Sequence, residues 1–272
     1  MYNSKIIGLG KYLPKNVVTN NDLSNTIDTS NQWIIERTGI EERRHIVKGD
    51  GNSTASMGAA AAKIAIERAN ISTNDIDLIL FATLSPDYYM PGSGVLVQKI
   101  LNIPTCPAMD IRNQCSGFVY AIATADQFIK TGMYKNILVI GSETQSGAID
   151  KTTRGRDIGV IFGDGAGAAV LSRTNSKISN IMSSHLHSEG EHAEELIMES
   201  PNMNKWVTEI VSDNDPDDLS YYPYMNGKHV FKNAVTRFEE VINTGLKYNN
   251  LKPHDIKPVS YTHLTLPTIA GV

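Results

Sequence analysis

Asp110-Ile-Arg-Asn-Gln-Cys115-Ser-Gly-Phe-Val-Tyr120 is the stretch on which the fold turns, because a short strand-like run ends there and a helical pattern begins. Phe118, Ala121, Ile122, Ala125 and Ile129 recur at three and four residues, which predicts a helix from Ser116 to Lys130 with Gly132 as its stop. Cys115 therefore stands at a helix N-terminus. Unpaired N–H groups and the positive end of the helix dipole are expected to lower its thiol pKa from about 8.5. A reactive nucleophile is one reading, and a buried structural cysteine, the commoner fate of a lone Cys, is the other.

Strands and helices alternate on either side of this stretch. Lys5 to Gly8 reads as a strand, Ser53 to Ala69 as a small-residue helix, and Leu78-Ile-Leu-Phe-Ala82 as a continuous apolar strand suited to burial on both faces. Ile137 to Ile140, Gly159 to Phe162 and Ala168 to Leu171 add further buried strands, so the fold class is α/β. The chain also repeats itself. A helix ending Ala69-Asn70-Ile71 is followed by Asn74-Asp75-Ile76-Asp77, and a second helix, Phe231 to Tyr248, is followed by Asn250-Leu251 and His254-Asp255-Ile256-Lys257. Strand openings at Lys5-Ile6-Ile7 and Ile178-Ser179-Asn180-Ile181 head the two copies. The expected halves are 1–174, which carries the thiol, and 175–257. From Val259 the chain reads Val-Ser-Tyr-Thr-His-Leu-Thr-Leu-Pro-Thr268, one translation frame of a transposase-type sequencing adapter. Pro258, an Ile269-Ala-Gly271 index and Val272 fit the same frame, so 258–272 is expected to be an artefactual tail and the second half incomplete.

With 272 residues, 41% hydrophobic and 20% charged, the chain has the composition of a soluble globular protein. A net charge of -4 leaves no basic surplus for nucleic acid or an anionic membrane. No apolar run approaches the roughly 20 residues of a membrane span. Two cysteines make no disulfide framework and no basic leader precedes Lys5, which points to the cytoplasm.

Four stretches carry a family resemblance: Thr29-Ser-Asn-Gln-Trp33-Ile-Ile-Glu-Arg37-Thr-Gly-Ile-Glu-Glu-Arg43-Arg44, the Cys115 elbow, Phe162-Gly-Asp-Gly-Ala-Gly-Ala-Ala-Val170, and Gly227-Lys-His-Val-Phe231-Lys232. Through them the chain, over 1–257, resembles β-ketoacyl-acyl-carrier-protein synthase III, the thiolase-fold family that starts fatty-acid synthesis. The resemblance implies a duplicated five-layer αβαβα fold, acyl-CoA as substrate without a bound cofactor, malonyl-acyl-carrier protein as partner, and a homodimer. It implies that Cys115 attacks the acyl-CoA thioester and that the acyl-enzyme then condenses with the decarboxylated malonyl unit. Covalent capture makes the condensation a step between preplaced partners, and backbone N–H groups at such a turn can stabilise the oxyanion.

Trp33 and Arg37 share one face of a helix capped by Thr29 or Ser30, and the resemblance has them hold the CoA adenine between indole and guanidinium. Without a ligand they make an ordinary cation–π pair. A second arginine on CoA is implied, either Arg154 or Arg156. Thr29, Met225, Gly227 and Phe231 complete the implied CoA site, Lys232 is an implied carrier-protein contact, and Met90 stands where the family reaches across the dimer to floor the partner's acyl pocket. That dimer is expected through the Ile137 to Ile140 strand, read as an edge. Gly163-Asp-Gly-Ala-Gly167 and Gly8-Leu-Gly10 lack the spacing and following helix of a phosphate loop, and read as strand packing. His185, His187 and His192 read as a loop cluster, and no metal site is expected.

The family's decarboxylating histidine, in Pro-His-Gln-Ala-Asn, and its later asparagine have no match. The histidine position falls on Thr262, and His263, one residue late, would face the other side of a strand. The chain as given is therefore expected not to condense. Gln114, Lys228 and Met90 also depart from the common pattern, which leaves open the acyl primer, a related condensing enzyme with another donor or acceptor, and a non-catalytic acyl-CoA-binding homologue.

Overall fold

Leu78–Ala82 forms a strand in which all five side chains are buried, and the surrounding elements are arranged about it. The computed structural model describes residues 2–176, 181–202 and 218–256. In chain order the elements are β1 (Asn3–Tyr12), β2 (Val17–Thr19), α1 (Asn20–Leu23), α2 (Asn31–Thr38), β3 (Glu42–Arg44), α3 (Thr54–Ala69), β4 (Leu78–Ala82), α4 (Ser93–Ile100) and β5 (Ala108–Ile111). There follow α5 (Gly117–Lys130), β6 (Asn136–Glu143), α6 (Arg156–Gly159), β7 (Gly165–Thr174), β8 (Leu196–Ile197), β9 (Tyr224–Met225) and α7 (Gly227–Tyr248).

The described residues fall into two units, one from 1–17, 44–145 and 163–186, the other from 18–43, 146–162 and 187 onward. These units interleave along the chain, whereas the expected boundary near Asn175 is a boundary of the repeat and remains a proposal. Residues 178–180, which head the second copy, and the whole of 258–272 lie outside the described residues.

In the first unit a five-stranded mixed sheet runs β1-β7-β6-β4-β5. β4 pairs in parallel with β5 and β6, while β7 runs antiparallel to β6 and β1. Alternation of side chains along β4 assigns its two faces. Ile79 and Phe81 pack with Ala61, Ala62 and Ala65 of α3 and Val97 of α4, while Leu78, Leu80 and Ala82 pack with Ala121, Ala125 and Ile129 of α5. The unit is thus three layers, αβα, of the mixed α/β arrangement the sequence predicts. Two expectations are corrected here. Ile137–Ile140 is not at an edge, because β6 lies between β7 and β4 and the edges are β1 and β5. Gly159 to Phe162 is not a strand: Val160 N donates to Arg156 O and Phe162 N to Ile158 O, so the run finishes a helical turn. A short apolar run has no period of its own to separate the two outcomes, and burial decides.

The second unit has a small core of Leu23, Ile27, Ile34 and Val160. Arg43, itself buried, donates to Val18 O, Asn20 Oδ1 and Val160 O, and so cross-links its backbone. The repeat noticed in the sequence has a geometric counterpart. Asn70 after α3 and Asn250 after α7 both have left-handed φ, 53° and 55°. Each is followed by a 3-10 turn, Thr73–Asp75 or Pro253–Asp255, whose aspartate accepts from the N–H three residues back at 2.8 Å.

Gly8 and Gly10 show what the first glycine pair is for. A Cβ on either would fall on a carbonyl of α3, at Ala65 or Ala61, so they let β1 lie against that helix. Gly10→Ala should therefore lower stability by about 1–3 kcal/mol, read as a lower urea midpoint with unchanged slope.

Candidate active site

Cys115 sits in a single 3-10 turn, Gln114–Ser116, that leads straight into α5, as the sequence predicts. The turn is strained. Gln114 has φ 43°, a left-handed conformation that costs a side-chain-bearing residue about 1–2 kcal/mol. Ser116 Oγ closes the turn on Asn113 O at 3.1 Å, and Gly117 is buried and close-packed, since a Cβ there would lie 3.2 Å from Ala82 Cβ. This brings the start of α5 onto the C-terminal end of β4, where open α/β sheets commonly take ligands. Cys115 is exposed, Cys106 is half-buried, and both are free thiols.

The expected depression of the Cys115 pKa is corrected. Although the residue as a whole is exposed, desolvation by the protein around its sulfur pushes the pKa up, the residue's own backbone N–H pulls it down, and the Glu143 carboxylate adds a smaller push up. Desolvation is the dominant effect on the thiol. Glu143 went unnoticed in the sequence, and the only available signal was a carboxylate ending an otherwise apolar strand. Its own pKa is raised by burial, with hydrogen bonds from Ser85, Leu84 and Thr83 opposing.

In the second unit Ser30, not Thr29, caps α2, accepting from Trp33 N at 3.1 Å. The Arg37 guanidinium lies 4.3 Å from the Trp33 ring centroid and that of Arg156 lies 4.9 Å from it. The alternative left open by the sequence is thereby separated in space. Arg156 joins Trp33 and donates to Asp28 O at 3.1 Å, while Arg154 is held by Asp150 at 2.5 Å and faces the Tyr222 ring. Two buried polar atoms in this group, Thr29 Oγ1 and Arg156 Nε, have no hydrogen-bond partner, and Arg156 Nε lies 3.8 Å from Asp157 Oδ1.

Met225 lies on β9, which rests on α6, and Gly227 opens α7 behind the Asn226 cap. Phe231, 47% exposed, and Lys232 follow on the first turns of α7. Met90 is 78% exposed, in a loop shared with exposed Tyr88 and Tyr89. His185 bonds Ser183 in the first unit, whereas His192 lies on a 3-10 turn of the second with its ring 4.8 Å from that of His229. His263 and Thr262 lie outside the described residues.

A cysteine on a strained elbow at the end of a parallel strand, in a mixed sheet between helices, defines an enzyme of the thiolase-fold class. The 3-oxoacyl-[acyl-carrier-protein (ACP)] synthase III family matches at residues 109–190. Beta-ketoacyl-[acyl-carrier-protein] synthase III 1 of Vibrio vulnificus is 43% identical over 253 residues, covering 93% of this chain and 74% of that protein. The crystal structure of 3-oxoacyl-[acyl-carrier-protein] synthase III from Aquifex aeolicus superposes with a TM-score of 0.81 at 41% identity, covering 93% of this chain and 74% of that one. The priming beta-ketosynthase of the R1128 polyketide pathway gives 0.82 at 28% identity, covering 93% and 72%. The chain belongs to the β-ketoacyl-acyl-carrier-protein synthase III family of acyltransferases.

A raised thiol pKa has a direct readout. The rate of Cys115 alkylation by iodoacetamide, followed by mass spectrometry, should rise with pH to a midpoint above about 8.5, the value of an unperturbed cysteine. A midpoint at or below it would show that the helix terminus prevails.

Proposed function

We propose that this protein is an acyl-CoA-dependent ketoacyl synthase III acting at the start of fatty-acid synthesis. The observation that carries the reading is the exposed Cys115 thiol on its elbow at the start of α5. In the first half-reaction the sulfur attacks the acyl-CoA carbonyl, the carbon–sulfur bond to CoA breaks, and CoA leaves with the proton that Cys115 gives up. In the second, which the chain as given is expected not to complete because the family's decarboxylating histidine and asparagine have no match in it, malonyl-acyl-carrier protein loses carbon dioxide. The resulting carbanion attacks the acyl group, and Cys115 leaves as the thiolate. A thiol of raised pKa gives a stronger nucleophile once it is ionised. The chain's own thiol carries the chemistry, with acyl-CoA as substrate and no cofactor invoked.

Trp33, between Arg37 and Arg156, is the proposed seat of the CoA adenine, with Thr29, Met225, Gly227 and Phe231 around it and Lys232 meeting the carrier protein. The stacking of Arg156 on Trp33, with Arg154 held by Asp150, supports Arg156 over Arg154 for the CoA contact. Pairing of two copies is proposed through β5, the free edge of the sheet beside Cys115, and the Met90 loop. Exposed Met109 on β5 and exposed Met90 support it. Free thiols suit a reducing cytoplasm, and no helix among the described residues is long and apolar enough to cross a membrane. A second reading, a related condensing enzyme with a longer acyl donor, is favoured by Met90, a flexible side chain at the proposed pocket floor.

Exposure to acyl-CoA should add one acyl mass to Cys115 and none to Cys106, and label on Cys106 alone would remove the central claim. Trp33→Ala and Arg156→Ala should each raise KM for acyl-CoA roughly 2- to 10-fold with little change in kcat, and Arg154→Ala should not. Equal losses with a short thioester lacking the CoA handle would assign Trp33 to folding instead.

A further inference from the structure

Among the described residues, four that carry a side chain have left-handed φ. Three are asparagines, Asn70, Asn102 and Asn250, each just past the end of a helix, where that conformation is an ordinary stop. The fourth, Gln114 at 43°, precedes a helix and stands next to Cys115. Glutamine has no preference for this region, so its surroundings must hold it there. The two ends of the elbow do so. Ile111 is paired with Ala82 across the parallel ladder of β4 and β5, and Thr83 N donates to Ile111 O at 3.2 Å. Gly117 packs on the same Ala82, since a Cβ on it would lie 3.2 Å from Ala82 Cβ and 3.9 Å from Ile111 O. Asp110 fixes the incoming strand further, accepting from Ser93 N at 2.6 Å and Gly94 N at 2.9 Å at the start of α4.

A strand that ends and a helix that begins against one side chain leave the five residues 112–116 to double back, and Gln114 is the middle one. Its left-handed backbone supplies the reversal. Gly117 N then closes onto Gln114 O and Ser116 Oγ onto Asn113 O, so that residues 114–116 are exposed at the apex while Gly117 is buried. We propose, on the reading of Cys115 as nucleophile, that Gln114 is its positioning residue: the left-handed backbone at 114, and not the side chain, presents the thiol at the apex of the elbow for attack on the thioester. Strain of this kind persists only where the surroundings over-determine it, and here it falls on the residue beside the nucleophile.

The test compares Gln114→Val, whose β-branched side chain resists left-handed φ, with Gln114→Gly, which adopts it freely. Acylation of Cys115 by acyl-CoA and its alkylation by iodoacetamide are both followed by mass spectrometry, the second needing no CoA site. In the Val variant the maximal acylation rate should fall about tenfold or more at an unchanged half-saturating acyl-CoA concentration, with alkylation slowed as well. A Val variant that melts lower yet acylates at the unsubstituted rate makes the left-handed residue merely structural and overturns the proposal. Gln114→Gly removes the side chain but keeps the backbone, so it should acylate within about twofold of the unsubstituted rate and melt roughly 2 °C higher. A Gly variant that acylates tenfold more slowly assigns the role to the glutamine side chain and overturns the proposal even where the Val variant does not fold. Failure of the unsubstituted protein to acylate at Cys115 while it alkylates there would instead sink the functional reading, and the alkylation rates of the two variants would still judge the elbow.

Discussion

Burial of β4 on both faces is the constraint on which the rest depends. Its five residues carry no polar side chain, so the strand is stable only with helices on either side, α3 and α4 against Ile79 and Phe81, α5 against Leu78, Leu80 and Ala82. At roughly 25 cal/mol per Å2 of apolar surface removed from water, these contacts dominate the unit's stability. They also place its chemistry. Seating α5 on β4 brings the helix start to the strand's C-terminal end, and parallel pairing of β6 brings Glu143 to the same end. The start of α5, the turn after β4 and Glu143 lie at one end of the sheet because strands packed between helices finish together.

Two opposing terms meet at Cys115, and their order could not be read from the sequence. A helix N-terminus favours a thiolate by a partial charge that fades within a turn. Burial and a full negative charge oppose it. Desolvation around the sulfur is the largest of these effects and sets the direction of the shift, while the residue's own backbone N–H pulls down by more than the Glu143 charge pushes up. The helix and the elbow were legible in a local pattern. Glu143 lies 28 residues downstream of Cys115 and meets the β4 turn only through sheet pairing, which no local pattern encodes.

The same division separates the other successes from the corrections. α3 and α5 were visible because their small and apolar residues keep a helical period, and Ser53 caps α3 with a capping box to Ser56. Ile137 to Ile140 was correctly seen as a buried strand, but its place in the sheet is set by pairing with both β4 and β7, so it cannot be an edge. Gly159 to Phe162 went the other way because Ile158 and Val160 fill a core with Leu23 and Ile27, on a turn rather than on a sheet. The choice between Arg154 and Arg156 was undecided by alignment alone. In the structure Asp150 holds Arg154, while the Arg156 guanidinium lies against the Trp33 ring.

The internal repeat has a mechanical basis in its punctuation. A helix that must stop and hand over to another segment needs a residue that tolerates left-handed φ, and asparagine does so better than any other side-chain-bearing residue. Asn70 and Asn250 occupy that place after α3 and α7. The next turn must then be closed by a local acceptor, and an aspartate three residues after the cap position does this through the backbone N–H, in Ser72 to Asp75 and in Lys252 to Asp255. In the first copy this turn delivers the chain to β4, the strand about which its unit is built. The two segments share the same stop, spacer and acceptor, and each device specifies a direction of chain travel rather than a contact with any one neighbour.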